Sequence, residues 1–179
     1  MLLRNGVLAA VTLAYPPAVY WGLGRFEPRW MAFALLALAL VRLGAAQQPL
    51  WRAAALLTVA LAGVTLLANA ALPLKLYPVL MNAAFGVLFA WSLARPPSAI
   101  ERIARLQRPD LDAAGVAYTR KVTWVWVAFF VLNGSLAAAT ALWASDATWA
   151  LYNGLVCYGL MGVLFAGEWL VRQRVMARG

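Results

Sequence analysis

Hydrophobic residues fall into long runs separated by short clusters of proline, arginine and turn-forming residues. Six runs stand out, at about 6–23, 30–46, 51–72, 77–94, 122–143 and 149–171. An α-helix needs about 20 mostly apolar residues to cross a hydrocarbon layer about 30 Å thick. Each run therefore predicts a membrane span, the second being the shortest. Pro16 and Pro17 lie inside the first run, where a proline removes a helical hydrogen bond and clashes with the preceding turn. That span should kink or end early. Pro73 should end the third span, and Pro96 and Pro97 the fourth.

Aromatic residues support these limits. Trp21, Trp30, Trp51, Tyr77, Trp91, Trp124, Trp143, Trp149 and Trp169 all fall within about a turn of an expected end. Such rings favour the headgroup level, where one edge is apolar and the other wet. Arg4 followed by Gly6–Leu13 resembles the start of a signal peptide, but Tyr15, Pro16 and Pro17 occupy the place of a small-residue cleavage site. We read a retained first helix.

Composition agrees with this reading. Of 179 residues, 65% are hydrophobic and 12% charged, against about 45–50% and about 25% in soluble domains. Residues 1–179 thus read as a single transmembrane domain, all-α, a six-helix bundle with no separate soluble part. The net charge of +9 would suggest nucleic acid in a soluble protein. Here the basic residues flank the apolar runs, so a nucleic-acid partner is not expected and the lipid bilayer is.

The distribution of those charges predicts orientation. With six spans, one side holds Arg4, Arg42, Arg52, Arg95, Arg102, Arg105, Arg108, Arg120, Lys121, Arg172, Arg174 and Arg178; the other holds Arg25, Arg29 and Lys75. The richer side is expected in the cytoplasm of a bacterial inner membrane, so both termini and the loop 95–121 should lie there. Within that loop, Ser98-Ala99-Ile100-Glu101 fits a capping box. Ile100, Ile103 and Leu106 then alternate with Arg102, Arg105 and Arg108 until Pro109. A short amphipathic helix between spans 4 and 5 is predicted, either on the inner leaflet, docked under the bundle or free to bind a partner.

Candidate chemistry is sparse. No histidine is present and Cys157 is the one cysteine, so no catalytic triad, metal centre or cofactor is expected. There is no Walker loop and no dinucleotide fingerprint. Polar side chains inside spans remain as candidates, because they are costly there. Asn69, Asn82, Asn133 and Asn153 are such residues, and could line a polar cavity or simply bond neighbouring helices. Glu168 is the acid within a span. With Arg42, Arg120, Lys121 and Arg172 it forms a candidate charged inner rim, Arg172 following at the i+4 spacing that shares a helix face. Gly134, Ala138 and Ala141 on span 5, and Gly159, Gly162 and Ala166 on span 6, should let these two helices pack as a tight hairpin.

The C-terminal half carries a resemblance. Glu101-Arg102-Ile103-Ala104-Arg105-Leu106 is followed by Tyr118-Thr119-Arg120-Lys121-Val122-Thr123, Trp126 and Phe129-Phe130. Asn133-Gly134, Trp149-Ala150-Leu151-Tyr152-Asn153-Gly154 and Gly167-Glu168-Trp169 complete the pattern. Over residues 98–173 this resembles uncharacterised bacterial inner-membrane proteins encoded in aryl-polyene or fatty-acid-like biosynthesis clusters. More distantly it resembles the intracellular septation protein A family. The resemblance implies a role beside lipid-like or polyene envelope products. The leading expectation is a non-catalytic accessory or scaffold that recruits cytosolic acyl-carrier or synthase proteins. A small transporter or flippase for a lipid-like or anionic metabolite is the alternative, and a membrane enzyme acting on a lipid head group a third.

Overall fold

The computed structural model describes residues 18, 20–22, 25–45 and 49–176. Among them the chain is all helix and turn, with no strand. In order come α1 (Pro28–Ala45), α2 (Pro49–Ala68), α3 (Leu72–Lys75), α4 (Tyr77–Ala94), α5 (Ala99–Gln107), α6 (Ala113–Trp143), α7 (Asp146–Leu151), a π turn (Tyr152–Val156) and α8 (Cys157–Met176). Three stretches are long and apolar enough to cross a membrane: Leu72–Ala94, Ala113–Trp143 and Asp146–Gln173. Ala55–Ala68 is a shorter apolar helix. The predicted first span with Pro16 and Pro17, and both termini, lie outside the described residues except at 18 and 20–22.

Helix limits correct the sequence reading in three places. The third predicted span ends at Ala68 rather than 72, because Asn69 takes a positive φ of 46°. Asparagine tolerates that left-handed conformation and commonly follows a helix end. Pro73 instead sits in the first turn of α3, where its missing N–H costs nothing. The predicted loop 95–121 is mostly helical, since α6 begins at Ala113, nine residues ahead of the expected 122. Asp112 explains that start: its Oδ1 accepts the Gly115 N–H at 2.8 Å, satisfying a first-turn donor that would otherwise be orphaned.

The described residues form two compact units. The first takes the chain up to Pro78 together with Ala137–Gly162. Its core holds Ala32 and Leu35 of α1, Ala62 of α2, Leu74 of α3, Ala141 of α6, and Trp149 and Ala150 of α7. Ala32, Ala39, Ala55 and Ala62 are all buried, so α1 and α2 approach on small side chains. The Asn69 Oδ1 accepts the Arg29 N–H at 3.3 Å and so caps the start of α1.

The second unit takes Val79–Leu136 and the chain from Val163. Here α4 and α6 run antiparallel, with Asn82 against Asn133, Gly86 against Phe130 and Leu93 against Arg120. Phe85, Phe89, Trp126, Phe129 and Phe130 interlock between them, and Phe165 of α8 closes on Trp126 with ring centroids 4.7 Å apart. Spans 5 and 6 do meet as predicted, with Thr140 against Asn153 in the first unit and Trp126 against Phe165 in the second, but the predicted glycines of span 6 are not in the seam. A methyl at Gly134 would meet Asn82 of α4 at 3.0 Å, whereas one at Gly159 or Gly162 would meet open space. Asn82 of α4 thus takes the place beside Gly134, while Ala141 packs in the first unit's core with Trp149 and Ala150.

Candidate functional site

The predicted amphipathic helix exists as α5, and its capping acid is the reason. Glu101 is 6% exposed. Its Oε2 accepts the Ser98 N–H at 3.3 Å, and its Oε1 accepts Arg105 Nε and Nη2 at 2.9 and 2.8 Å. Both Arg105 donors meet the one oxygen in a charge-assisted contact, the strong kind. Ala99 N–H donates to Ser92 Oγ at 2.8 Å, and Ile100 N–H to Thr123 Oγ1 at 3.4 Å. The helix is thus docked on α4 and α6 through its first turn. Its outer side is apolar and uncovered: Ile103 is 55% and Leu106 84% exposed.

The three arginines of α5 divide. Arg102 turns back, donating from Nε to Pro97 O at 2.8 Å and from Nη2 to Arg95 O at 3.4 Å. Arg105 joins Glu101 to Pro109 O at 3.0 Å. Arg108 is exposed and is the residue on which α5 ends. They are not one uniform basic stripe.

The predicted charged rim is likewise dispersed. Arg120 Nη1 donates to Leu93 O at 3.1 Å, at the end of α4. Lys121 is exposed. Glu168 meets Tyr118 instead, whose hydroxyl donates to the Glu168 carbonyl at 3.2 Å and lies 3.5 Å from its Oε1. Among the described residues Glu168 forms no ion pair with Arg120, Lys121 or Arg172. The Arg42 side chain lies outside the described residues. Tyr118 escapes a sequence reading because it falls in the predicted loop 95–121, and its partner is 50 positions away in the chain.

Of the four amides, the structure brings two together. Asn133 is buried and its Nδ2 donates to Asn82 Oδ1 at 3.0 Å. Asn153, also buried, donates to Thr140 Oγ1 at 3.2 Å and to Trp149 O at 2.9 Å. Asn69 is the cap described above. Each therefore has a structural partner.

One polar constellation was not expected. Lys75 is buried, and its Nζ lies 2.6 Å from Asp146 Oδ1. The Lys75 carbonyl accepts Trp149 Nε1–H at 3.1 Å. Trp149 itself is fully buried, and Tyr77 nearly so. These two aromatics belong to the core, not to the interfacial belt expected of them. Trp21, Trp30, Trp91, Trp124, Trp143 and Trp169 are exposed, as belt residues should be. Two signals could have identified the exception: Trp149 follows an acid at i+3, and Ser145 with Asp146 makes a helix start. Ser145 Oγ indeed accepts the Thr148 N–H at 3.2 Å.

Among the described residues no group of three His, Cys, Asp or Glu side chains could hold a metal ion. Compared with known families, curated proteins and solved structures, the chain matches none.

Proposed function

We propose that this chain is a six-span bacterial inner-membrane protein with both termini cytoplasmic, acting as a non-catalytic accessory or scaffold beside envelope lipid or polyene synthesis. Contacts within each unit support the topology. In the first, Arg29 meets Asn69, and Lys75 meets Asp146 and Trp149; these segments are the three expected outer connections. In the second, Leu93 meets Arg120 and Tyr118 meets Glu168, all at expected inner ends.

The observation that carries the functional reading is the uncovered side of α5. A buried acid and four hydrogen bonds hold its first turns rigid, and that rigidity presents Ile103, Leu106 and Arg108 outward. A preorganised apolar patch with a basic edge suits an acidic cytosolic partner, because ordering costs are already met. An acyl-carrier or synthase protein has that character. The transporter alternative needs amides facing water, and loses support from the Asn82–Asn133 and Asn153–Thr140 bonds.

The test is capture of purified acyl-carrier protein by the detergent-solubilised chain. Leu106→Gln combined with Arg108→Glu should weaken capture roughly tenfold or more, as central anchors do, while membrane insertion stays intact. Unchanged capture would remove the docking role, and substrate flux in liposomes would then become the decisive measurement.

A further inference from the structure

Three arginines converge where α4 ends, each from a different element. Arg95 closes α4 and lies over the Trp91 ring at 4.4 Å. Arg120 arrives from α6 and donates to Leu93 O; Arg102 arrives from α5 and donates to Arg95 O and Pro97 O. Two guanidinium groups thus serve carbonyls only four residues apart along the chain, and Arg95 itself lies between those carbonyls in the sequence. Among the described residues none of the three pairs with a carboxylate. The acid on α5, Glu101, is occupied by Arg105. All three are exposed, and such a cluster of like charges attracts an anion from outside the chain. Each guanidinium carries five N–H donors, and the contacts above use one or two of them.

The level at which they sit identifies the anion. Because α4 and α6 are antiparallel, Arg95 and Arg120 share one level. Trp91 precedes Arg95 by four residues and Trp124 follows Arg120 by four, so both tryptophans lie about one turn deeper, about 6 Å. Both are exposed. Arginines at the outer level and exposed tryptophans one turn in are the order in which a phospholipid presents its phosphate and its glycerol-acyl region.

The geometry points to a binding site for an anionic phospholipid, its phosphate held by Arg95, Arg102 and Arg120 and its upper acyl region flanked by Trp91 and Trp124. The site is independent of the docking face, which Arg102 has turned away from. It takes a bilayer lipid as a bound component, not as a reactant.

The experiment is native mass spectrometry of the full chain from detergent, with phosphatidylglycerol or phosphatidylcholine of identical acyl chains. Wild type should retain phosphatidylglycerol preferentially. Arg95→Gln is the decisive variant, because among the described residues the Arg95 side chain makes no hydrogen bond and only stacks on Trp91. It should lower that preference roughly fivefold, the worth of one arginine beside an anionic surface. Arg95→Gln with Arg120→Gln should lower it further. Arg25→Gln, which removes the same stacked arginine from Trp21 in the other unit, should change nothing. Equal retention of the two lipids, an unaltered preference in Arg95→Gln, or displacement of the lipid by millimolar inorganic phosphate would each overturn the assignment.

Discussion

A lysine and an aspartate show how far residue type underdetermines role. Lys75 counts as an outer basic residue in the sequence and Asp146 as a loop acid. In the structure the Lys75 side chain is 11% exposed and that of Asp146 51%. The pair is therefore asymmetric. Removing the acid strands an ammonium that water barely reaches, and it also removes negative charge from the first turn of α7, where the helix dipole favours it. Removing the ammonium leaves a carboxylate that is already half hydrated. Stranding a buried charge is strongly destabilising, whereas an exposed partner contributes little. We expect Asp146→Asn to cost about 2 kcal/mol or more and Lys75→Met under about 1 kcal/mol. Unfolding in detergent checks the order, and equal losses would show that the ammonium is hydrated after all.

At the scale of helices, small residues matter according to what faces them. Gly134 belongs to a place where α4 comes so close that a methyl group would sit 3.0 Å from Asn82 Cβ. Asn82 also accepts the hydrogen bond from Asn133, so it cannot shift without loosening an interhelical bond worth about 0.6–2 kcal/mol. Gly134→Ala should lower stability by about 1–3 kcal/mol, the usual cost of overpacking. Gly159→Ala and Gly162→Ala meet nothing and should be neutral or slightly stabilising. Thermal unfolding of the three variants separates them. A loss at Gly159 or Gly162 as large as at Gly134 would restore the small-residue seam expected from the sequence.

For the whole molecule the open quantity is the number of crossings. Three helices are long and apolar enough to cross, and α1 and α2, of 18 and 20 residues, form a close-packed pair. Six crossings would place Arg95–Tyr118 and both termini on the basic, inner side. Topology reporters fused near Asp110 and at Gly179 should read cytoplasmic, and one at Asp146 should read external. An external signal at Gly179 would exclude an even number of spans with the N-terminus inside.

What could be read from the sequence was set by local rules. Apolar run length gave the helices, because lipid demands internally bonded backbone over a fixed thickness. Ser98 with Glu101 and the stop at Pro109 gave α5, because capping and proline act within four residues. The start of α6 at Asp112 and the place of Pro73 are local corrections, but the corrections to side-chain roles involve partners distant in the chain. Asn69 bonds Arg29 across 40 positions, Trp149 bonds Lys75 across 74 and Tyr118 bonds Glu168 across 50. A tryptophan near a helix end is interfacial or buried depending on whether another segment covers it, and an arginine is a docking group or a helix cap depending on which carbonyl lies within reach. Only the tertiary structure decides these, since covering surface and carbonyl are supplied by helices whose approach no local pattern encodes.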